Sequence, residues 1–387
     1  MPNFCYILLP NLLSDINIFM RIEDNGDNDS SFELDTAGNH MPPTVVPITE
    51  SCSSQIALVH TLGRAIDSPE SLSDEDIRSL LTSDALITGL DAVTETKQRL
   101  VGKSVFVRSS IEISNQCRCA CSYCGMSRNN TSLARFRLTK EEIIKQIEIA
   151  KRIGVDTIHL TSAEDVHFPI HDVCEIVDFV KGQGLDIVLV LGEKKPEEYT
   201  ELYNSGARKF TMKFETSNPA VFRDIKNGYT LEQRLRCIEI LRKIGFQIGT
   251  GVIVGLPGQT VDTLVSDLRL LQKLKPEMAS ASVFIPNKDS EYAYMPKGNT
   301  DLALRFNILM RLLLRDPVPT IPCSSSFDEE EQIRLLKAAA NVISVHLTPE
   351  EVALDYSMYG GKERAVRNVN QAAQLVEAAG LSCNLKY

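Results

Sequence analysis

From about Lys103 onward, short apolar runs of strand length alternate with longer segments in which apolar residues recur every three or four positions. The strand candidates span 105–113, 157–161, 186–191, 209–215, 248–254, 279–284, 320–324 and 342–347. Between them lie amphipathic runs such as 141–150, where Ile143, Ile147 and Ala150 share one helical face. Gly154, Gly184, Gly206, Gly245 and Gly380 fall where helical periodicity stops. Strand and helix periods that alternate in this way belong to parallel βα units, not to segregated sheet and helix domains. Eight such pairs close most simply into an α/β fold, a (β/α)8 barrel of the TIM type, with its active site at the carboxyl ends of the strands.

The chain ahead of the barrel reads differently. Ser73-Asp74-Glu75-Asp76 is a helix-start signal, and Ile77, Leu80 and Leu81 supply a short apolar face, so 48–102 is predicted to be a helical extension. Residues 1–47 include the acidic, polar stretch from Glu23 to Ser31, which has too little apolar surface to order itself and is expected to be flexible. The organisation expected is therefore a flexible segment (1–47), a helical preface (48–102) and a barrel with a C-terminal helix (103–387).

Composition narrows the partners. With 43% hydrophobic and 24% charged residues, the 387-residue chain has the make-up of a globular protein with a sizeable core. A net charge of −10 disfavours non-specific binding to nucleic acid or to an anionic membrane, and the absence of Trp removes the best stacking platform for single strands. No nucleic-acid or membrane partner is expected. Of ten cysteines, four lie between Cys117 and Cys124, while Cys5, Cys52, Cys174, Cys237, Cys323 and Cys383 are isolated. A secreted disulfide framework would be denser and its chain shorter, so the reading is a reducing cytoplasm. The apolar start, Phe4 to Pro10, lacks the basic region and the length of a signal peptide.

Cys117, Cys121 and Cys124 form a Cys-x3-Cys-x2-Cys loop directly after the first barrel strand. Three thiolates can hold three irons of a 4Fe-4S cluster and leave the fourth open. An open iron can chelate the amino and carboxylate groups of S-adenosylmethionine (SAM) and pass one electron into its sulfonium, releasing a 5′-deoxyadenosyl radical. The bland alternative is structural zinc, which wants four ligands and usually a second Cys-x2-Cys pair; the chain has none. Cys119 is read as a bystander, and Tyr123 as an aromatic ring placed to pack on adenine.

Other candidates fall at strand ends, each with a structural alternative. Ser162 and Glu164 can meet the ammonium of a bound methionine or belong to a polar loop. Glu215 can accept hydrogen bonds from a ribose diol or pair with Lys213. Arg234 can clamp the methionine carboxylate or stand as a solvated helix arginine. The run Gly251 to Thr260 sets glycine where backbone approaches a ligand and apolar residues, Leu256 among them, where an adenine edge would lie; a plain strand-to-helix turn reads the same. Arg108 and Lys213 can balance an anionic substrate inside the barrel or form a structural ion pair, and Tyr356 and Tyr359 line the mouth or pack beside it.

Residues 103–362 resemble the HydE branch of the radical SAM enzymes, near biotin synthase and methylornithine synthase; HydE helps to assemble the active-site cluster of iron-iron hydrogenase. The resemblance is carried by 105–117, by Tyr123-Cys124-Gly125-Met126, by Arg135-Phe136-Arg137-Leu138-Thr139, by Phe214-Glu215-Thr216-Ser217-Asn218-Pro219, by Val254 to Thr260 and by Phe284-Ile285-Pro286. It implies that Cys117, Cys121 and Cys124 ligate the cluster, that Glu215 holds the ribose and that Arg234 holds the methionine carboxylate. It also implies that Arg108, Ser324 and Ser325 meet a small anionic substrate or an iron-bound complex, with reduced flavodoxin or ferredoxin as electron donor. The sequence departs from the branch in three places. Lys213-Phe214 stands where an Arg-His pair is expected, Val188 and Val190 replace hydroxyl residues on strand three, and accessory C-terminal cysteines are missing. These departures keep open a mutase of the methylornithine type and a sulfur-inserting enzyme of the biotin or lipoyl type. Outside the enzyme class, the alternative is an iron-sulfur or zinc-binding scaffold.

Overall fold

A computed structural model describes residues 6–8, 19–22, 32–35, 50–359 and 368–385. The chain divides into two compact units, residues 1–60 and 61–387. In the first, β1 (Tyr6–Leu8), β2 (Phe19–Ile22) and β3 (Phe32–Asp35) form a small antiparallel sheet in the order β1-β2-β3. Most of the segment expected to be flexible, including Glu23 to Ser31, lies outside the described residues.

Helix α1 (Glu50–Asp67) leads into α2 (Asp74–Thr82), α3 (Ala85–Thr88) and α4 (Leu90–Val101). Helix α2 starts at the expected place because Ser73 and Asp76 cap each other's backbone, and Ile77, Leu80 and Leu81 are buried. The barrel follows as β4 (Ser104–Ser114), α5 (Lys140–Arg152), β5 (Thr157–Ser162), α6 (Ile170–Gly182), β6 (Asp186–Val190), α7 (Pro196–Asn204) and β7 (Lys209–Thr211). It continues through α8 (Pro219–Lys226), α9 (Leu231–Ile244), β8 (Gln247–Val254), α10 (Val261–Leu274), β9 (Met278–Val283), α11 (Thr300–Leu313), α12 (Glu329–Ala338) and β10 (Val342–His346). Helices α13 (Glu350–Ala353) and α14 (Val369–Ala378) and the short β11 (Ser382–Asn384) complete it, β11 pairing with the start of β4.

The parallel strands lie in the order β10-β4-β5-β6-β7-β8-β9, as βα units require. Two expectations are modified. The seventh strand, predicted at 320–324, is reduced to bridges from Thr320 to Met278 of β9 and from Pro322 to Val342 of β10. Proline has no N–H to extend the ladder. The fourth strand, predicted over 209–215, is regular only to Thr211, and Glu215 rejoins β8 by a single bridge to Val252. Glu215 has φ 63°, a left-handed conformation that turns the chain away from the strand direction.

Strand alternation separates core from site. On β4, Val105, Val107, Ile111 and Ile113 join the main apolar core, whereas Arg108, Ser110 and Glu112 face the cavity inside the ring. In parallel register, Ser110 sits level with His159 of β5 on one side and His346 of β10 on the other. The barrel interior is therefore polar and the outer wall apolar.

Candidate active site

The cysteine loop leaves β4 and is laced to its surroundings through backbone. The Arg118 N–H donates to the Glu164 carbonyl (3.1 Å), that of Ser122 to Ile225 (3.0 Å) and that of Arg128 to Cys119 (2.8 Å). The Arg135 guanidinium donates to four carbonyls around the loop, those of Asn115 (2.7 Å), Met126 (3.0 Å), Ser127 (2.6 Å) and Asn130 (3.1 Å). Asn115 ties the loop's start to Ala134 and Asp355, each at 2.8 Å. Asp165, at the end of the β5 loop, accepts from Arg137 (2.7 and 2.8 Å), from the Ser114 hydroxyl (2.7 Å) and from the His167 N–H (2.9 Å).

Cys117, Cys121 and Cys124 are free thiols that face one cavity of about 290 Å³. Cys119, read as a bystander, lines the same cavity, with its sulfur within hydrogen-bond reach of Cys117, Cys121 and the Tyr229 hydroxyl. Tyr123, Ser162, Glu164, Val190, Glu215 and Arg234 line this cavity as well. Leu256 does not: it is buried with Val221, Ile225, Ile253 and Phe284 in a cluster against which Tyr123 packs. A second lobe of about 230 Å³ shares Arg108, Tyr123, Lys213, Glu215 and Tyr356 with the first and adds Ser324, Ser325 and Tyr359. Every residue expected at cofactor or substrate except Leu256 thus borders one or both of two adjoining cavities that share part of their lining.

Charge in the first lobe is arranged as a chain. Arg234 is only 5% exposed, so it is no solvated helix residue. Its Nε donates to Glu193 (2.7 Å), one terminal nitrogen to Glu164 (3.3 Å) and the other to the Lys213 carbonyl (3.3 Å). Glu164 also accepts from Arg118 at 3.2 and 3.3 Å. Burial works against the charge on Arg234, but Glu164, Glu193 and Glu215 hold it firmly protonated. Burial likewise pushes the Glu164 carboxyl up, more than Arg234 pulls it back. The Glu215 carboxyl is raised by burial, yet Lys213, Lys226 and Arg234 outweigh this and keep it below the usual range. Its neighbours are Lys213 (3.4 Å), Lys226 (3.7 Å) and the Tyr123 hydroxyl (3.5 Å).

Several lining residues escaped the sequence reading. Lys226, at the end of α8, is buried beside Glu215 and lies 5.5 Å from the Tyr123 ring centre. Glu193 completes the Arg234 chain, and Glu112, His159, Thr161, Ser282, Ser344 and His346 face the interior. The signal for the interior set was present: polar residues at every second position of otherwise apolar strands, as in Arg108-Ser110-Glu112 and Ser344-His346. For Glu193 and Lys226, both off the strands, no such pattern exists. In the second lobe, Arg108 donates to the Ser344 hydroxyl (2.9 Å), and burial lowers its guanidinium to about 10.

The cavity lining has the donor types that a cluster and SAM call for, though among the described residues no three such side chains are drawn together as a preformed metal site. Three thiols from one short loop border the cavity, and the buried oxygens Ser162 Oγ and Thr250 Oγ1 that line it have no hydrogen-bond partner. Buried polar atoms are ordinarily satisfied, so two orphans around one space mark where a polar ligand belongs. Comparison with known proteins points the same way. Residues 111–271 match the Radical SAM superfamily. The FeFe hydrogenase maturase subunit HydE of Thermotoga maritima is 36% identical over 269 residues, 69% of this chain and 77% of the relative. The 3-methylornithine synthase of Methanosarcina barkeri is 24% identical over 331 residues, 83% of this chain and 93% of the relative. The crystal structure of methylornithine synthase (PylB) shares the fold with a TM-score of 0.75 at 22% identity, covering 84% of this chain and 97% of that one. With three cysteines at the mouth of a polar barrel and HydE alike over most of its length, the chain belongs to the Radical SAM superfamily, in the branch that holds HydE and 3-methylornithine synthase.

Proposed function

We propose that the chain is a HydE-like radical SAM enzyme that acts on a small anionic substrate, an amino-acid derivative or an iron-bound cysteine complex. When bound, a 4Fe-4S cluster and SAM supply a 5′-deoxyadenosyl radical, with reduced flavodoxin or ferredoxin as the source of the electron. Cys117, Cys121 and Cys124 hold the cluster. Glu215 accepts from the ribose hydroxyls, a task for which its carboxyl, held ionised by Lys213, Lys226 and Arg234, suits it. Glu164 and Ser162 face the methionine ammonium, and Arg234 its carboxylate. Tyr123 presents a ring to adenine from the apolar cluster that holds Leu256.

The observation that carries this reading is the shared lining, Arg108, Tyr123, Lys213, Glu215 and Tyr356, of the cavity at the cysteines and the lobe that holds Ser324 and Ser325. Arg108 carries its charge in the barrel interior with a hydroxyl, not a carboxylate, as hydrogen-bond acceptor. A buried cation of this kind favours an anionic guest. Lys213, which takes the place of arginine, donates to Ser282 (3.2 Å) inside the same lobe. That lysine keeps in play a second reading, a rearrangement of the methylornithine type.

The test is anaerobic reconstitution of the full chain followed by dithionite and SAM. Release of 5′-deoxyadenosine, lost when Cys117, Cys121 or Cys124 becomes Ser, supports the reading. A bound zinc ion in place of iron, or no release from a fully iron-loaded chain, refutes it. Transfer of deuterium into 5′-deoxyadenosine from a labelled amino acid or from a labelled cysteine-iron complex separates the two readings.

A further inference from the structure

Behind the cofactor lobe, one buried carboxylate joins the two turns that shape it. Glu215 holds its left-handed φ of 63° with backbone bonds from its N–H to Gly251 (3.0 Å) and to its carbonyl from Ile253 (2.9 Å). Such a conformation costs a non-glycine residue of order 1–3 kcal/mol and persists only where the surroundings fix it. Two residues on, the Ser217 N–H donates to Oδ1 of Asp267, a residue of α10 with no exposed surface (2.5 Å). Asp267 Oδ2 accepts from Gln259 Nε2 at 3.1 Å. Gln259 cannot turn over, because its Oε1 already accepts from the N–H groups of Gly255 (2.7 Å) and Leu256 (3.3 Å) and its Nε2 also donates to the Ile253 carbonyl (3.1 Å). Position 267 therefore faces donors on both sides and must offer two acceptors, which among side chains of this length only an ionised aspartate does.

We infer that Asp267 is a positioning residue for SAM: it locks the turn that presents Glu215 to the turn that carries Leu256 and so fixes the spacing between the ribose carboxylate and the apolar support of Tyr123. The inference rests on the reading of Glu215 as the ribose ligand. The groups that face Asp267 are neutral, Thr216 and Ser217 from the turn after Glu215 and Gln259 from the turn before α10. Burial pushes its carboxyl up to about 7 against the pull of these hydrogen bonds. The lock is consequently complete above that pH and loosens below it.

The test uses the full chain, anaerobically reconstituted, with SAM dissociation constants measured by equilibrium dialysis from about pH 6 to about pH 8.5. The wild type is expected to bind SAM more tightly as pH rises through about 7. Asp267→Asn sets an amide N–H against a fixed donor, and is expected to bind about tenfold more weakly at the alkaline end, to lose the pH step and to keep its iron and sulfide content. Gln259→Leu breaks the same link from the other side, and the double variant is expected to be no worse than the weaker single one. Wild-type affinity with an unchanged pH step in Asp267→Asn, while Glu215→Gln loses SAM, overturns the positioning role and leaves the ribose reading standing. Wild-type affinity in Glu215→Gln overturns both. Should Asp267→Asn not fold, wild-type affinity in Gln259→Leu overturns the inference.

Discussion

Arg135 gives the sharpest test of how the cysteine loop is held. Its guanidinium bridges four carbonyls, from Asn115, Met126, Ser127 and Asn130, which bracket the three cysteines. The side chain is half-buried, so water can replace part of what is lost, and each bond contributes about 0.5–1 kcal/mol net. Arg135→Ala therefore favours the open loop by about 2–4 kcal/mol, or about 30- to 1,000-fold. Because the loop lies outside the barrel core, global thermal unfolding should shift little. Amide exchange over 117–130 in the metal-free chain should accelerate by that factor, and the reconstituted variant should surrender its iron to a chelator faster. Arg135→Lys keeps the charge but cannot span four acceptors with a single ammonium, and should lie between. Exchange and iron retention equal to wild type in Arg135→Ala would show that the loop is held by other contacts.

Three further outcomes follow from the same geometry. Arg234→Leu strands Glu193 and leaves Glu164 to Arg118 alone, and should cost about 3–5 kcal/mol in urea denaturation, a loss under about 1 kcal/mol refuting the ion chain as drawn. Gly255→Ala meets both a φ of 88° and a Cβ placed 2.4 Å from the Gly298 Cα, and should destabilise by about 3 kcal/mol or more, whereas positive φ alone costs about 1–2 kcal/mol. Asp165 is raised by burial but held below its usual range by Arg137, Ser114 and the His167 N–H. Its contribution to stability is thus present above the unfolded value of about 3.9 and lost as pH falls through the depressed folded value. Asp165→Asn should flatten that acid limb in denaturation at stepped pH, and an unchanged limb would assign it to other carboxylates.

The barrel was legible because two periods alternate cleanly along 103–347 and because each βα unit is local in sequence. The cysteine loop was legible because its three cysteines are close together in the chain. What escaped depends on distant partners. Glu193 follows β6 and Lys226 ends α8, so their directions are set only when those elements have packed, and Arg234, already a candidate from the sequence, gains its burial from the distant Glu164 and Glu193. Leu256 was placed at the ligand on the strength of its glycine-rich neighbourhood, but the turn carries it beneath Tyr123. The shortened strand at 209–211 and the reduced seventh strand were hidden for a related reason: apolar composition reports burial, whereas pairing is decided by the φ of Glu215 in one case and by Pro322 in the other.

The sparse joint at Thr320 and Pro322 gives the ring a soft side. Strands β4, β5 and β6 are stitched to one another over five or six residue pairs each, with one register shift at Glu112–Ser114, while between β9 and β10 the wall hangs on isolated bridges. Thermal widening of the barrel is expected to concentrate at that joint, next to Ser324 and Ser325, so that accommodation of a guest would fall on that side of the wall and not on the side nearest the thiols.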